Sequence, residues 1–150
     1  MQRINVVGTS GSGKSTFARQ LAEVLNAKYI EMDALFWGPD WTGAEDAVFF
    51  NRLERELDAS SWVLDGNYSR TLPIKWRRAD TVIWIDYGFT RTLYQSLWRA
   101  VRRLFSQQEI WPGTGNRESF RRTFLSRDSI LLWTLTNYAK NKRKYSSYMA

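Results

Sequence analysis

The stretch GTSGSGKST, residues 8–16, decides how this chain is read. Gly8 is followed after four residues by Gly13, Lys14 and Ser15, the G-x-x-x-x-G-K-[ST] spacing of a phosphate-binding loop. Ile4, Val6 and Val7 before it read as a buried strand, and Phe17, Leu21, Val24 and Leu25 after it recur at helical spacing. Such a loop belongs between a strand and a helix. Glycine at 8 and 13 permits backbone angles that a side chain blocks, so successive amides turn inward toward an anion, with Ser10, Gly11 and Ser12 completing the turn. The following helix adds the positive end of its dipole. Lys14 is placed to bridge the outer phosphates, the Ser15 hydroxyl to ligate magnesium, and Thr16 to support the inner phosphate. The expected ligand is a nucleoside triphosphate, ATP, with Mg2+.

Composition narrows the chemistry further. The 150 residues contain no cysteine and no histidine, which excludes disulfides, thiolate nucleophiles, Cys/His zinc sites and imidazole acid/base catalysis. Carboxylates, lysines and arginines must carry any reaction. The length suits one domain, 1–150, with a substantial core. No apolar run reaches membrane-spanning length, and the chain enters its first strand without signal-peptide features, so a cytoplasmic protein with no membrane partner is expected. Residues 1–69 carry 6 basic and 10 acidic groups, net −4, whereas residues 70–150 carry 16 and 5, net +11. The basic half suits polyphosphate, nucleic acid or solubility, and charge alone does not choose among them.

Short apolar runs at 3–7, 28–32, 62–65 and 81–86 read as strands separated by helical pattern or turn residues. One helix is expected to open at a capping box, Thr42-Gly-Ala-Glu45, and to bury Phe49, Leu53 and Leu57. Another starts at about residue 90 with Leu93, Leu97, Val101 and Leu104 inward and Arg99, Arg102 and Arg103 off that stripe. SQQEIWPGTGN, residues 106–116, is the expected flexible connection, and two more helical segments follow. This alternation implies an α/β fold, a parallel sheet with helices on both faces and a ligand at the strands' C-terminal edge.

Asp33, Asp65 and Asp86 all fall at or just beyond strand ends. Spacing alone leaves Asp65 and Asp86 tied as the acid that holds magnesium. Asp33 follows strand two, and similarity to P-loop kinases of small metabolites, which often place an acid there, implies that it faces the phosphoryl acceptor. It can take or orient the acceptor's hydroxyl proton, or merely cap its loop. Phe36, Trp37 and Trp41 beside it either stack a base or belong to the core. Phosphoryl transfer also asks for positive charge around the transferring group. Arg99, Arg121, Arg122 and Arg127 are candidates to reach the nucleotide, so the catalytic set is expected among Lys14, Asp33, Arg121 and Arg127.

VLDGNYSR is similar to the Asp-Gly turn of adenylate kinases and their P-loop kinase relatives, a resemblance that makes Asp65 the magnesium-side acid beside Ser15. GTSGSGKST, EMDALFW, WVLDGNYS, ADTVIWID and GNRESFRRTFLSRDSILLW together resemble the adenylate-kinase-related bacterial proteins often labelled DNA topology modulation proteins, over nearly the whole chain. That resemblance implies a P-loop NTPase sheet of order 2-3-1-4-5 and a short basic lid, about residues 106–127. It also implies a kinase that moves a phosphoryl group from Mg-ATP to a small acceptor, a nucleotide or nucleoside. With no fifth strand legible before Met149-Ala150, the expected order is 2-3-1-4. Strand four is then an edge, to be covered by the helix containing Ile130, Leu131, Trp133 and Leu135 or by a second copy in a homo-oligomer. The Gly-Phe-Pro-Arg turn of true adenylate kinases is here Gly66-Asn67-Tyr68-Ser69-Arg70. The competing expectation is an ATP-dependent nucleic-acid-associated module using KNKRK, residues 140–144, as a phosphate-backbone patch. For a kinase, nucleic-acid binding would be weak and non-specific.

Overall fold

The structure, a computed structural model, describes residues 1–117, 119–120 and 130–149. In chain order its elements are β1 (Arg3–Gly8), α1 (Lys14–Val24), β2 (Lys28–Glu31), α2 (Met32–Phe36), α3 (Asp46–Glu56), β3 (Trp62–Asp65), α4 (Leu72–Arg78), β4 (Thr81–Ile85), α5 (Phe89–Ser106) and α6 (Ile130–Met149). The strands form one parallel sheet of order β2-β3-β1-β4. The expected α/β class and strand order are therefore observed, with β4 at an edge. The described residues cluster into two compact units, Met1–Val7 with Lys14–Trp84, and Gly8–Gly13 with Ile85–Ala150.

In the first unit, every residue of β3 and residues 4–7 of β1 are buried. Successive strand residues point to opposite faces, so burial of all of them means that both faces are covered. Ile30, Trp62 and Leu64 form one core with Phe49, Leu53 and Leu57, the four-residue series of α3. Each such side chain contributes about 1.5–3 kcal/mol of transfer free energy. α1 presents Ala18 and Ala22, both buried, and small residues let a helix backbone lie close to its neighbours. Asp80 joins β4 to β1: its carboxylate accepts hydrogen bonds from the amides of Gln2 (2.9 Å) and Arg3 (3.0 Å), and its own amide donates to Arg3 O (2.9 Å).

Three local expectations change. β2 stops at Glu31 rather than residue 32, because Met32 opens the five-residue α2. The capping box does not form: Gly38 N donates to Thr42 O, and Trp37 bridges Gly43, which holds the chain in a tight loop. α3 consequently begins at Asp46, with Glu45 at its N-cap and no side-chain cap. α4 is a helix the sequence pattern does not announce, although Pro73 in its first turn suits a helix start.

In the second unit, α5 buries Thr92, Ser96 and Ala100, while Leu97 is 41% exposed and Leu93, Val101 and Leu104 are only half-buried. The inward face is the small-residue stripe, not the expected leucine stripe. α5 and α6 meet through Tyr138, whose hydroxyl donates to Tyr87 O (2.8 Å) and whose ring lies 5.2 Å from that of Phe89. Residues 106–116 are not an open connection: Ile110 N donates to Asn116 O (2.8 Å), Glu109 bridges Arg117, and Trp111 is buried. The side chains of Ile130, Leu131 and Trp133 lie outside the described residues, and Leu135 is half-exposed. Among the described residues no helix is long and apolar enough to cross a membrane.

Backbone hydrogen bonds, that from Gln2 foremost, hold the Asp80 carboxyl below its ordinary value of 3.8. A depressed folded value means that this stabilisation is complete above the unfolded value and is lost as pH falls through the folded one. Asp80→Asn is expected to lower Tm at pH 7 and to shrink the wild-type loss of Tm between pH 5 and pH 3, measured by thermal denaturation. An unchanged Tm at pH 7 would remove Asp80 from the β1–β4 junction.

Candidate functional site

The loop that follows β1 divides between the two units, residues 8–13 belonging to one and residues 14–16 to the other. In the segment 8–13, Ser12 N donates to Thr9 O (3.0 Å), closing a turn whose glycines Gly11 and Gly13 have φ of +86° and +82°. A side chain at Gly11 has no space: its Cβ would collide with Ser96 Oγ and approach Thr92 O to 2.8 Å. This explains the small face of α5. Ser96 Oγ donates to Ser10 O (3.4 Å), and Arg99 Nη2 donates to Ser10 Oγ (3.5 Å). Arg99 is thus the candidate arginine that the structure brings to the loop. Arg121, Arg122 and Arg127 lie outside the described residues. Ser12 Oγ is buried and has no hydrogen-bond partner.

Lys14 opens α1, which puts Ser15 and Thr16 in its first turn. Lys14 Nζ lies 3.7 Å from Asp65 Oδ1 at the end of β3, and Asp65 is 3% exposed. Oδ2 of the same carboxylate accepts from the Tyr29 hydroxyl (3.2 Å), whereas Oδ1 is buried without a hydrogen-bond partner. Burial first, then the Asp65 and Glu31 charges, push the Tyr29 phenol far above its ordinary range, so it stays a donor. Lys75, buried on α4, donates to Gly66 O (3.1 Å) and braces the turn after Asp65.

Asp33 lies two residues past β2 and accepts a hydrogen bond at Oδ1 from the Tyr68 hydroxyl (2.8 Å), three residues past β3. Burial, with the Asp33 charge and hydrogen bond next, raises Tyr68 well beyond the usual phenol range; the Trp37 side chain also hydrogen-bonds it. Phe36 lies 4.8 Å from Trp37 and 5.2 Å from Tyr68, and Trp37 lies 6.0 Å from Trp41. These rings pack on one another beside Asp33, with Phe36, Trp37, Trp41 and Tyr68 all half-buried.

Asp86 is the remaining strand-end carboxylate. Asp86 Oδ2 pairs with Lys142 Nζ on α6 at 3.2 Å, and that hydrogen bond, then the charge, raises the lysine above its ordinary value. Asp65, in contrast, is buried and lies beside the loop lysine. Sequence reasoning missed Tyr29 and Tyr68, whose partners lie 36 and 35 residues away, and Lys75, which braces the turn nine residues before it. For α5 a signal existed, since Thr92, Ser96 and Ala100 recur every four residues, but larger apolar residues on other faces outweighed it. The chain matches no protein-family model and no curated protein.

Gly11→Ala is expected to destabilise the protein by about 2 kcal/mol or more, from positive φ and overpacking together. Urea unfolding measures this, and Ser96→Gly in the same chain should recover part of the loss. Full stability of Gly11→Ala alone would contradict the close approach.

Proposed function

We propose that the chain is an adenylate-kinase-like P-loop phosphotransferase: residues 8–16 bind Mg-ATP and a phosphoryl group passes to a small acceptor. The observation that carries this reading is the loop lysine itself, Lys14, 3.7 Å from the buried Asp65 Oδ1 that no hydrogen bond satisfies. A buried, unsatisfied carboxylate oxygen is costly unless a ligand or water completes it. The residues present fit the nucleotide and its metal. Turned amides of residues 8–13, the N-terminal end of α1 and Lys14 would hold the phosphates, and Ser15 with Asp65 would hold magnesium. Arg99, already within reach of Ser10, adds positive charge on the loop.

When bound, Mg-ATP supplies the transferable phosphoryl group and a cation that neutralises its oxygens. The chain's residues then have distinct tasks. Lys14 exchanges its contact with Asp65 for phosphate oxygens. Tyr29 fixes Asp65 by donating to Oδ2. Asp33, held by Tyr68, orients the acceptor and takes its proton. Water must be kept from the transferring group; residues 121–127 of the expected lid lie outside the described residues.

The nucleic-acid reading has less support. KNKRK is not a uniform cationic face, because Lys142 pairs with Asp86 and Lys144 lies over the rings of Tyr145 and Tyr148 at 5.9 and 5.8 Å. Burial, then Lys140, lowers the Lys144 ammonium below its ordinary value.

ADP release, measured against a panel of nucleosides, monophosphates, small hydroxyl compounds and duplex DNA, tests the reading. At least one small acceptor should raise ADP production above the water background, and Lys14→Ala, with its fold checked by circular dichroism, should reduce that rate by about 100-fold or more. Stimulation by duplex DNA alone would transfer the conclusion to the nucleic-acid module.

A further inference from the structure

We infer that the acceptor is an uncharged, hydroxyl-bearing compound with a planar ring, of the nucleoside class, and not a phosphorylated one. This rests on the kinase reading above and deepens it. Parallel pairing sets Glu31 opposite Asp65, so the segments leaving β2 and β3 start side by side and bring Asp33 and Tyr68 into contact. With Oδ1 engaged by Tyr68, Oδ2 is the oxygen that Asp33 offers to an acceptor.

Two observations select the acceptor class. The first is what a carboxylate can do there. A hydroxyl acceptor must lose a proton as it attacks, and Asp33 is the group that receives it. A monophosphate at neutral pH attacks through an oxygen that carries no proton, so an acid beside it serves no purpose and repels it. The second is the state of the arginine in this cluster. Arg70 Nε lies 3.2 Å from Asp46 Oδ1, and its guanidinium lies over the rings of Phe36, Phe49 and Tyr68 at 4.9, 5.6 and 5.6 Å. Asp33, Asp46 and Arg70 together carry a net charge of −1. A phosphate group of roughly −2 would meet that charge with the arginine already paired. Arg52, on α3, has one of its donors, Nη1, engaged by Leu35 O (3.0 Å). The rings of Phe36, Trp37 and Tyr68, half-buried beside Asp33, give this place an apolar edge that suits a planar ring.

The transfer balances without a further reagent. The acceptor oxygen forms a bond to the γ-phosphorus, the bond from that phosphorus to the bridging β,γ-oxygen breaks, and its electron pair leaves with ADP. The acceptor proton goes to Asp33 Oδ2, then to solvent.

The test compares five nucleosides with their 5′-monophosphates in Mg-ATP-dependent ADP release, with wild type, Asp33→Asn and Asp46→Asn. At least one nucleoside should exceed its monophosphate in kcat/KM by about tenfold or more. Asp33→Asn should lower kcat about 100-fold or more with little change in KM. Asp46→Asn, which releases Arg70, should narrow the gap by raising monophosphate turnover about tenfold, an effect a merely structural Asp46 would not produce. Equal or better use of monophosphates by wild type, or an unaltered kcat in Asp33→Asn, overturns the inference and leaves the kinase reading standing. ADP release raised by a small hydroxyl compound and by no nucleoside overturns the inference alone, and release that no acceptor of the wider panel raises, from a folded protein, overturns both.

Discussion

β3 is the strand that the candidate chemistry depends on, because it is paired on both sides and its register decides which residues emerge together. Asp65 stands opposite Val6 of β1 and Glu31 of β2 on the same rung. A slip of one residue would turn its carboxylate to the opposite face of the sheet, away from Lys14 and Tyr29. The core prevents that slip: Trp62 and Leu64 are fully buried against Ile30, Phe49 and Leu53, and shifting them would expose their apolar surface. Sequence supplies the packing, packing fixes the register, and the register delivers a buried acid to the loop lysine.

The Lys14–Asp65 pair has a double aspect. Removing one partner of a buried pair typically costs about 3–5 kcal/mol, because the other charge is left uncompensated. Yet the pair is incomplete at 3.7 Å and leaves Asp65 Oδ1 without a hydrogen bond. Such a contact pairs the two charges without satisfying the carboxylate. The same logic holds for Ser12 Oγ, buried on the loop with no partner. Buried polar atoms left unsatisfied on a glycine-rich turn are where a protein stores binding capacity rather than stability.

Much of this was legible in the residues. The loop motif reads directly, since each of its glycines and its Lys-Ser pair has a local cause, and the strands of the sheet stand out as apolar runs. Strand order came from a resemblance rather than from periodicity. Illegible were the contacts that tertiary structure makes. Tyr29 looks like an ordinary strand residue until β3 brings Asp65 beside it, and Tyr68 like a turn aromatic until Asp33 accepts a hydrogen bond from its hydroxyl. The Thr42–Glu45 pattern fits a capping box, yet the Trp37–Gly43 bridge captures that backbone first. On α5 the leucine spacing competed with the stripe of Thr92, Ser96 and Ala100, and the close approach to Gly11 decided for the smaller side chains.

The central claim is that residues 8–16 and Asp65 form a magnesium-dependent triphosphate site. Calorimetric titration of the folded protein with ATP, with and without Mg2+, on wild type and on Asp65→Asn, tests it most directly. The account predicts that wild type binds ATP and that Mg2+ tightens the binding, whereas Asp65→Asn keeps ATP affinity but loses the magnesium enhancement. No heat of ATP binding to folded wild type, or an identical magnesium enhancement in both proteins, would contradict it.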